Sequence, residues 1–276
     1  MHDDLPLEEP SSGRDPGDST VGYELEPEPE TPALPGSCVL RRDVEDTTYA
    51  LAADMLIHAN NCVRSFGDFH LALSGGSTPM PLYARLMTDP AFRMFPWNRT
   101  HVWIVDDRCV EPHDDRFNYK HIHEYLGDHS GIPERNLHPM PVLDDDGDVR
   151  YERELQQVLA WREKGHDRLD FVLLGMGDDG HTASLFPHSP ALDAEHKLIA
   201  FNKGPAVTPP DRMTMTYRLI NASRFIAVLV TGAKKAPTIE QITTPGANER
   251  ELPILGVKPL GGTLRWYLDY DACPTG

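Results

Sequence analysis

Apolar positions in this chain fall into short runs separated by stretches of helical period. Phe69–Leu73, His101–Val105, Leu169–Leu174 and Arg224–Val230 are runs too brief for helices, and they predict buried strands. Between them, residues 43–66 carry Tyr49, Ala52, Ala53, Leu56, Ile57 and Val63 at helical spacing, closed by Gly67. A second helix is predicted over 79–86, where Pro79 suits a first turn, a third over 150–161, and a fourth from about Lys234. Met213, Met215, Tyr217 and Leu219 form a further alternating stretch.

A strand, a glycine or acidic loop, and then a helix recur four times. That order predicts an α/β fold: a mostly parallel, doubly wound (Rossmann-like) sheet with helices on both faces. Ligands of such sheets sit outside the carboxyl ends of the strands. Residues 1–37, with Glu26-Pro27-Glu28-Pro29-Glu30 as their typical composition, have little to bury and predict a disordered acidic, Pro-rich tail. A catalytic domain is expected over 38–276.

Composition narrows the partners. A formal charge of −17 over 276 residues argues against nucleic acid or an anionic membrane. An anionic substrate would need cations and backbone N–H groups gathered locally inside that repelling field. Cys38, Cys62, Cys109 and Cys273 show no CxxC pairing, so neither a disulfide framework nor a zinc knuckle is indicated. No run approaches the roughly 20 apolar residues of a membrane helix. The acidic N-terminus does not resemble a signal peptide, so a cytoplasmic location is expected.

The candidate chemistry lies at the strand ends. Ser74-Gly75-Gly76-Ser77-Thr78-Pro79 joins a strand to a helix, where glycines admit an anion close to the backbone and a helix N-terminus offers free N–H groups. An ordinary capped turn explains it equally well. Asp106-Asp107-Arg108 could orient hydroxyls and contact an oxyanion, or be a surface ion pair. Gly175–Ser184 is the most informative stretch. Its glycines 175, 177 and 180 permit a sharp loop, and Asp179 stands two residues before His181, a pairing suited to a general base near neutral pH. Arg212 and Lys235 are further cations for an anion, although each alone reads as a solvated surface charge. His121, His123 and the acidic run 144–148 are read as surface features, with no metal site; the Asn98 and Asn221 glycosylation sequons are common by chance.

Ser74–Pro79, Val105–Val110, Leu174–Pro187, Arg212–Asn221, Thr231–Ala236 and the ending Leu264–Ala272 occur together in that order. As a set they resemble the 6-phosphogluconolactonases. His138–Val142 and the ending resemble in particular the lactonase domain joined to hexose-6-phosphate dehydrogenase in animals. The resemblance implies hydrolysis of a phosphorylated sugar lactone without metal or organic cofactor. It implies His181 as the catalytic histidine with Asp179 and Arg108, and Gly76, Ser77, Thr78, Arg212 and Lys235 as phosphate contacts. Asp107 stands where the family usually has Glu, which leaves its role open. Glucosamine-6-phosphate deaminases share the fold but place a Glu where Phe186 stands here. A deaminase and a non-catalytic sugar-phosphate sensor are the alternatives. The expected partner is a small sugar phosphate, bound by a monomer; a fragment of a fused dehydrogenase would instead lie in the endoplasmic-reticulum lumen.

Overall fold

The computed structural model describes residues 28–274. Its central sheet has seven strands in the order β1 (Ser37–Arg41), β10 (Thr263–Asp269), β9 (Phe225–Val230), β6 (Phe171–Leu174), β2 (Phe69–Leu73), β3 (Thr100–Ile104) and β5 (Leu137–His138). Every neighbouring pair is parallel. β2, β6 and β9 are buried along their whole length, as continuous apolar strands covered on both faces should be. The helices are α1 (Val44–Phe66), α2 (Met80–Thr88), α3 (Asn118–Ile122), α4 (Asp128–Ser130), α5 (Gly147–Leu159), α6 (Tyr217–Ile220) and α7 (Ala236–Thr243). From β2 the chain winds outward through β3 to β5, and from β6 it winds the other way through β9 to β10. The reversal therefore lies between β2 and β6, the position where an open parallel sheet leaves a crevice.

The four anticipated strands form within a residue or two of their expected limits. Three strands of this sheet were not foreseen: partly exposed or charged residues interrupt the apolar pattern of β1 and β10, and β5 is only two residues long. A second sheet also escaped sequence reading: β4 (Asp106–Arg108), β8 (Asp211–Met215) and β7 (Ile199–Lys203), all antiparallel. Val105 joins the two sheets. Its N–H donates to Leu73 of β2 at 3.0 Å, and its carbonyl accepts from Met215 of β8 at 2.8 Å.

Local signals explain the ends of α1. The Asp43 side chain accepts from the Asp46 N–H at 2.8 Å, and Gly67 closes the helix at φ +92° with its N–H on Val63. The buried face differs from the expected one. Leu51, Ala52, Met55, Ala59 and Cys62 face the core, whereas Tyr49 and Ile57 are exposed. The helix carries apolar residues on more than one side, so spacing alone did not identify the face. The tail expected over 1–37 falls largely on residues 1–27, outside the described residues. From 28 to 36 neither helix nor strand forms, but Leu34 packs on the core and the Trp266 indole N–H donates to the Pro35 carbonyl at 2.9 Å. The folded part thus begins before residue 38.

A histidine cluster lies near the starts of β2 and β3, at the end of the sheet away from the crevice. Trp103 donates to His70 Nδ1 at 3.1 Å, which puts the His70 proton on Nε2, facing Asp68 at 3.1 Å. His138 Nδ1 faces Glu154 at 2.6 Å, so His138 Nε2 accepts from His101 Nδ1 at 3.0 Å. Asp68, His70 and His101 bring ligand atoms within 4.8 Å of one another, but the proton on His70 Nε2 makes this a hydrogen-bonded cluster rather than a cation cage.

Burial lowers the pKa of His70, and burial with the neighbouring His70 and His138 lowers His101 to about 3. Folded His101 therefore refuses a proton that the unfolded chain accepts below about pH 6.5, so its own contribution to stability falls as pH drops through that value. The slope is at most about 1.4 kcal/mol per pH unit per histidine. In denaturant titrations between about pH 4.5 and 6.5, His101→Phe should gain stability relative to the parent chain as pH falls. Equal slopes would remove His101 as the source.

Candidate active site

Two loops meet at the reversal between β2 and β6. The first, 74–79, is tied across the gap by the Ser74 hydroxyl, which donates to the Leu173 carbonyl at 2.8 Å, while Tyr83 donates to the Ser74 carbonyl at 2.6 Å. A Cβ on Gly75 would lie 2.0 Å from Asn118 Oδ1, so no side chain fits there. Gly76 adopts φ +85°, which favours glycine. Among the described residues, the backbone N–H groups of 75–78 have no protein acceptor, and they lie just ahead of α2. Free N–H groups at the start of a helix form an anion cradle.

The second loop carries His181. Its ring lies over Gly177, where a Cβ would come within 2.1 Å of Nδ1, and the Gly177 N–H donates to the His181 carbonyl at 2.8 Å. Gly180 turns at φ +74° beneath Leu252. Asp179 Oδ1 lies 2.5 Å from His181 Nδ1. Partial burial raises the Asp179 pKa, but the hydrogen bond and charge of His181 outweigh it, and the net shift is downward. An ionised Asp179 accepts the Nδ1 proton and leaves Nε2 with the free lone pair.

The small sheet makes the third wall. Side chains alternate along a strand, so Asp106 and Arg108 share one side of β4 and Asp107 takes the other. Asp106 and Arg108 line the cavity. Asp107 is fully buried and accepts the N–H groups of Arg108 (2.8 Å), Asn118 (2.7 Å) and Tyr119 (2.9 Å). Burial pushes its pKa up to about 7 against the pull of those donors. The residue left open by sequence thus ties the strand end to α3, and its shorter side chain suits three backbone donors. Asp107→Asn replaces an acceptor with an NH₂ group and orphans an N–H, so it should cost about 1–3 kcal/mol in urea unfolding. A change below about 0.5 kcal/mol would exclude this role.

Arg108 and Arg212 are direct cross-strand partners of β4 and β8. Like charges in that position repel. Among the described residues neither forms an ion pair with a carboxylate; Arg108 donates to the Arg116 carbonyl at 2.7 Å, and Arg212 to those of Pro209 and Asp211. Burial first, and then the charge of Arg108, lower the Arg212 pKa. A buried Arg212 facing a half-buried Arg108, neither with an ion-pair partner among the described residues, suits a strongly anionic ligand.

Gly76, Thr78, Arg108, His181 and Arg212, expected from the sequence, line one cavity of about 470 Å³. Asp179 stands behind His181, and Ser77 is not part of the lining. Lys235 is placed differently from its expected phosphate contact. It lies outside the cavity and pairs with Asp178 at 2.5 Å, while Thr238 donates to the Asp178 carbonyl at 2.8 Å, so both hold the histidine loop. Asn118, Ser184, Val207 and Thr208 also line the cavity and were not foreseen as site residues. Phe117-Asn118-Tyr119 carries no recognisable pattern; only the glycine loop opposite hinted at a close neighbour. Phe186 packs 4.9 Å from the His181 ring and lies 6.0 Å from the Arg212 guanidinium.

Residues 42–266 match the family described as glucosamine-6-phosphate isomerases/6-phosphogluconolactonase. The chain is 43% identical over 237 residues to the human GDH/6PGL endoplasmic bifunctional protein, covering 83% of this chain but only 29% of that protein. It is 37% identical over 221 residues to a 6-phosphogluconolactonase of Nostoc sp., covering 79% of this chain and 89% of the relative. Among solved structures, a devB protein superposes with a TM-score of 0.77 at 31% identity, covering 86% of this chain and 97% of the other.

Proposed function

The chain belongs to the 6-phosphogluconolactonase family, and from that premise we propose that it hydrolyses 6-phospho-D-glucono-1,5-lactone to 6-phospho-D-gluconate in the oxidative pentose phosphate pathway. The observation that carries this reading is the Asp179–His181 pair facing a cavity whose other wall holds Arg108 and Arg212.

The substrate phosphate lies against the free N–H groups of the 74–79 loop and the buried Arg212. His181 Nε2 takes a proton from water as its oxygen attacks the lactone carbonyl. Asp179 holds the resulting imidazolium through Nδ1. Arg108 steadies the oxyanion, a contribution of about 3–4 kcal/mol for a well-placed donor. The intermediate collapses with cleavage of the bond to the ring oxygen, and the imidazolium returns its proton to that oxygen. The new carboxylic acid then loses its proton to solvent.

Phe186 speaks against amine chemistry. An apolar ring beside His181 offers no carboxylate to assist ring opening of an amino sugar. For location we propose an aqueous compartment, cytoplasmic or, for a piece of a fused dehydrogenase, the endoplasmic-reticulum lumen; no described helix is long and apolar enough to cross a membrane.

The test uses freshly generated phosphogluconolactone with acid release followed against its spontaneous opening, and glucosamine 6-phosphate in parallel. Accelerated acid release without ammonia is expected. Acid release at the spontaneous rate, or ammonia from the amino sugar, would overturn the reading.

A further inference from the structure

Asp106 is a carboxylate that the proposed proton transfers do not use. It lines the cavity, is only 8% exposed, and forms no ion pair among the described residues. Both its ends are held. Asn118 Nδ2 donates to its carbonyl at 2.8 Å, and the Ser184 hydroxyl donates to its Oδ2 at 2.6 Å. Ser184 is itself fixed. It is 1% exposed, its N–H meets Thr214 Oγ1 at 3.1 Å, and its carbonyl accepts from Asn202 Nδ2 at 2.7 Å. The turn that delivers it includes Ala183 at φ +52°, a strained conformation for a residue with a Cβ.

Resting on the lactonase reading, we propose that Ser184 is a positioning residue: it turns Asp106 so that Oδ1 accepts a hydroxyl of the sugar ring. Oδ1 takes no hydrogen bond from any described residue and is not closed off from the cavity that Asp106 lines, so it is open to a donor that the ligand brings. The phosphate is excluded by charge, and the ring hydroxyls are the neutral donors such a substrate carries. Sites built to hydrogen-bond a hydroxyl discriminate strongly against analogues that lack it. Ser184 thereby sets how sharply the site separates polyhydroxylated lactones from deoxy ones.

The experiment compares the parent chain, Ser184→Ala and Ser184→Thr on 6-phosphogluconolactone and its 2-, 3- and 4-deoxy analogues. Ser184→Ala should lower kcat/KM on the full lactone about 10-fold, as the loss of an ordered hydrogen bond to a charged acceptor does. On one deoxy analogue it should differ from the parent by less than about two-fold, because the hydroxyl in question is missing there. Ser184→Thr, which keeps the hydroxyl, should recover most of the loss. Should Ser184→Ala fail to fold, Asp106→Asn must show the same insensitivity to the same analogue. An equal fall on all four lactones, or no fall, overturns the proposal. Absence of turnover by the parent chain overturns the lactonase reading instead.

Discussion

His181→Ala is expected to lower kcat on phosphogluconolactone by about 10²–10⁴-fold while leaving the binding of 6-phosphogluconate nearly unchanged. The ring is placed by a glycine that admits it and a carboxylate that holds Nδ1 at 2.5 Å, with Nε2 left as the base. Removing it deletes the proton carrier for both attack and departure. The anion cradle and the two arginines are untouched, so ground-state binding survives and the loss falls on kcat. Stopped assays on the variant, corrected for spontaneous opening, measure the first effect, and product titration the second. Turnover within a few-fold of the parent chain would sink the assignment of His181. Asp179→Asn should lie between the two, because an amide still contacts the ring but no longer stabilises an imidazolium.

Arg212→Ala should act on the other side of the kinetic scheme. A buried guanidinium opposed by a second one has no ion-pair partner among the described residues, and on the lactonase reading the phosphate supplies it. Truncating one partner of a buried, hydrogen-bonded charge pair costs about 2–5 kcal/mol, so KM should rise about 30-fold or more with a much smaller change in kcat. Inorganic phosphate should raise the Tm of the parent chain and not that of the variant, since a ligand stabilises only the form that binds it. Arg212→Lys keeps the charge and loses the planar fork, so partial recovery is expected. An unchanged KM, or an equal phosphate-dependent rise in Tm, would take Arg212 out of the phosphate site.

Much of this site was legible before any coordinates. His181, Asp179 and the 74–79 loop stood out because glycine-rich turns after buried strands carry both a conformational and a chemical signal in consecutive residues. Lys235 carried the same surface signal but meets Asp178 instead, and spacing along a chain says nothing of which acid lies nearest in space. Asn118 lacked any local mark, and Ser184, although it closes the Gly175–Ser184 stretch, had no role legible there. Their roles come from Gly75 and Asp106, 43 and 78 positions away in the chain.

By itself the sequence determined the parallel core and singled out His181 as the candidate base. Continuous burial imposes long apolar runs, and a tight loop imposes glycines, so both leave a local trace. Tertiary structure alone decided the small antiparallel sheet that sets Arg108 opposite Arg212. It also decided the direction of Asp107 away from the cavity, and the reversal between β2 and β6 that brings the two loops together. Those features depend on which strand lies beside which, and strand pairing is settled by distant contacts that no short window of residues records.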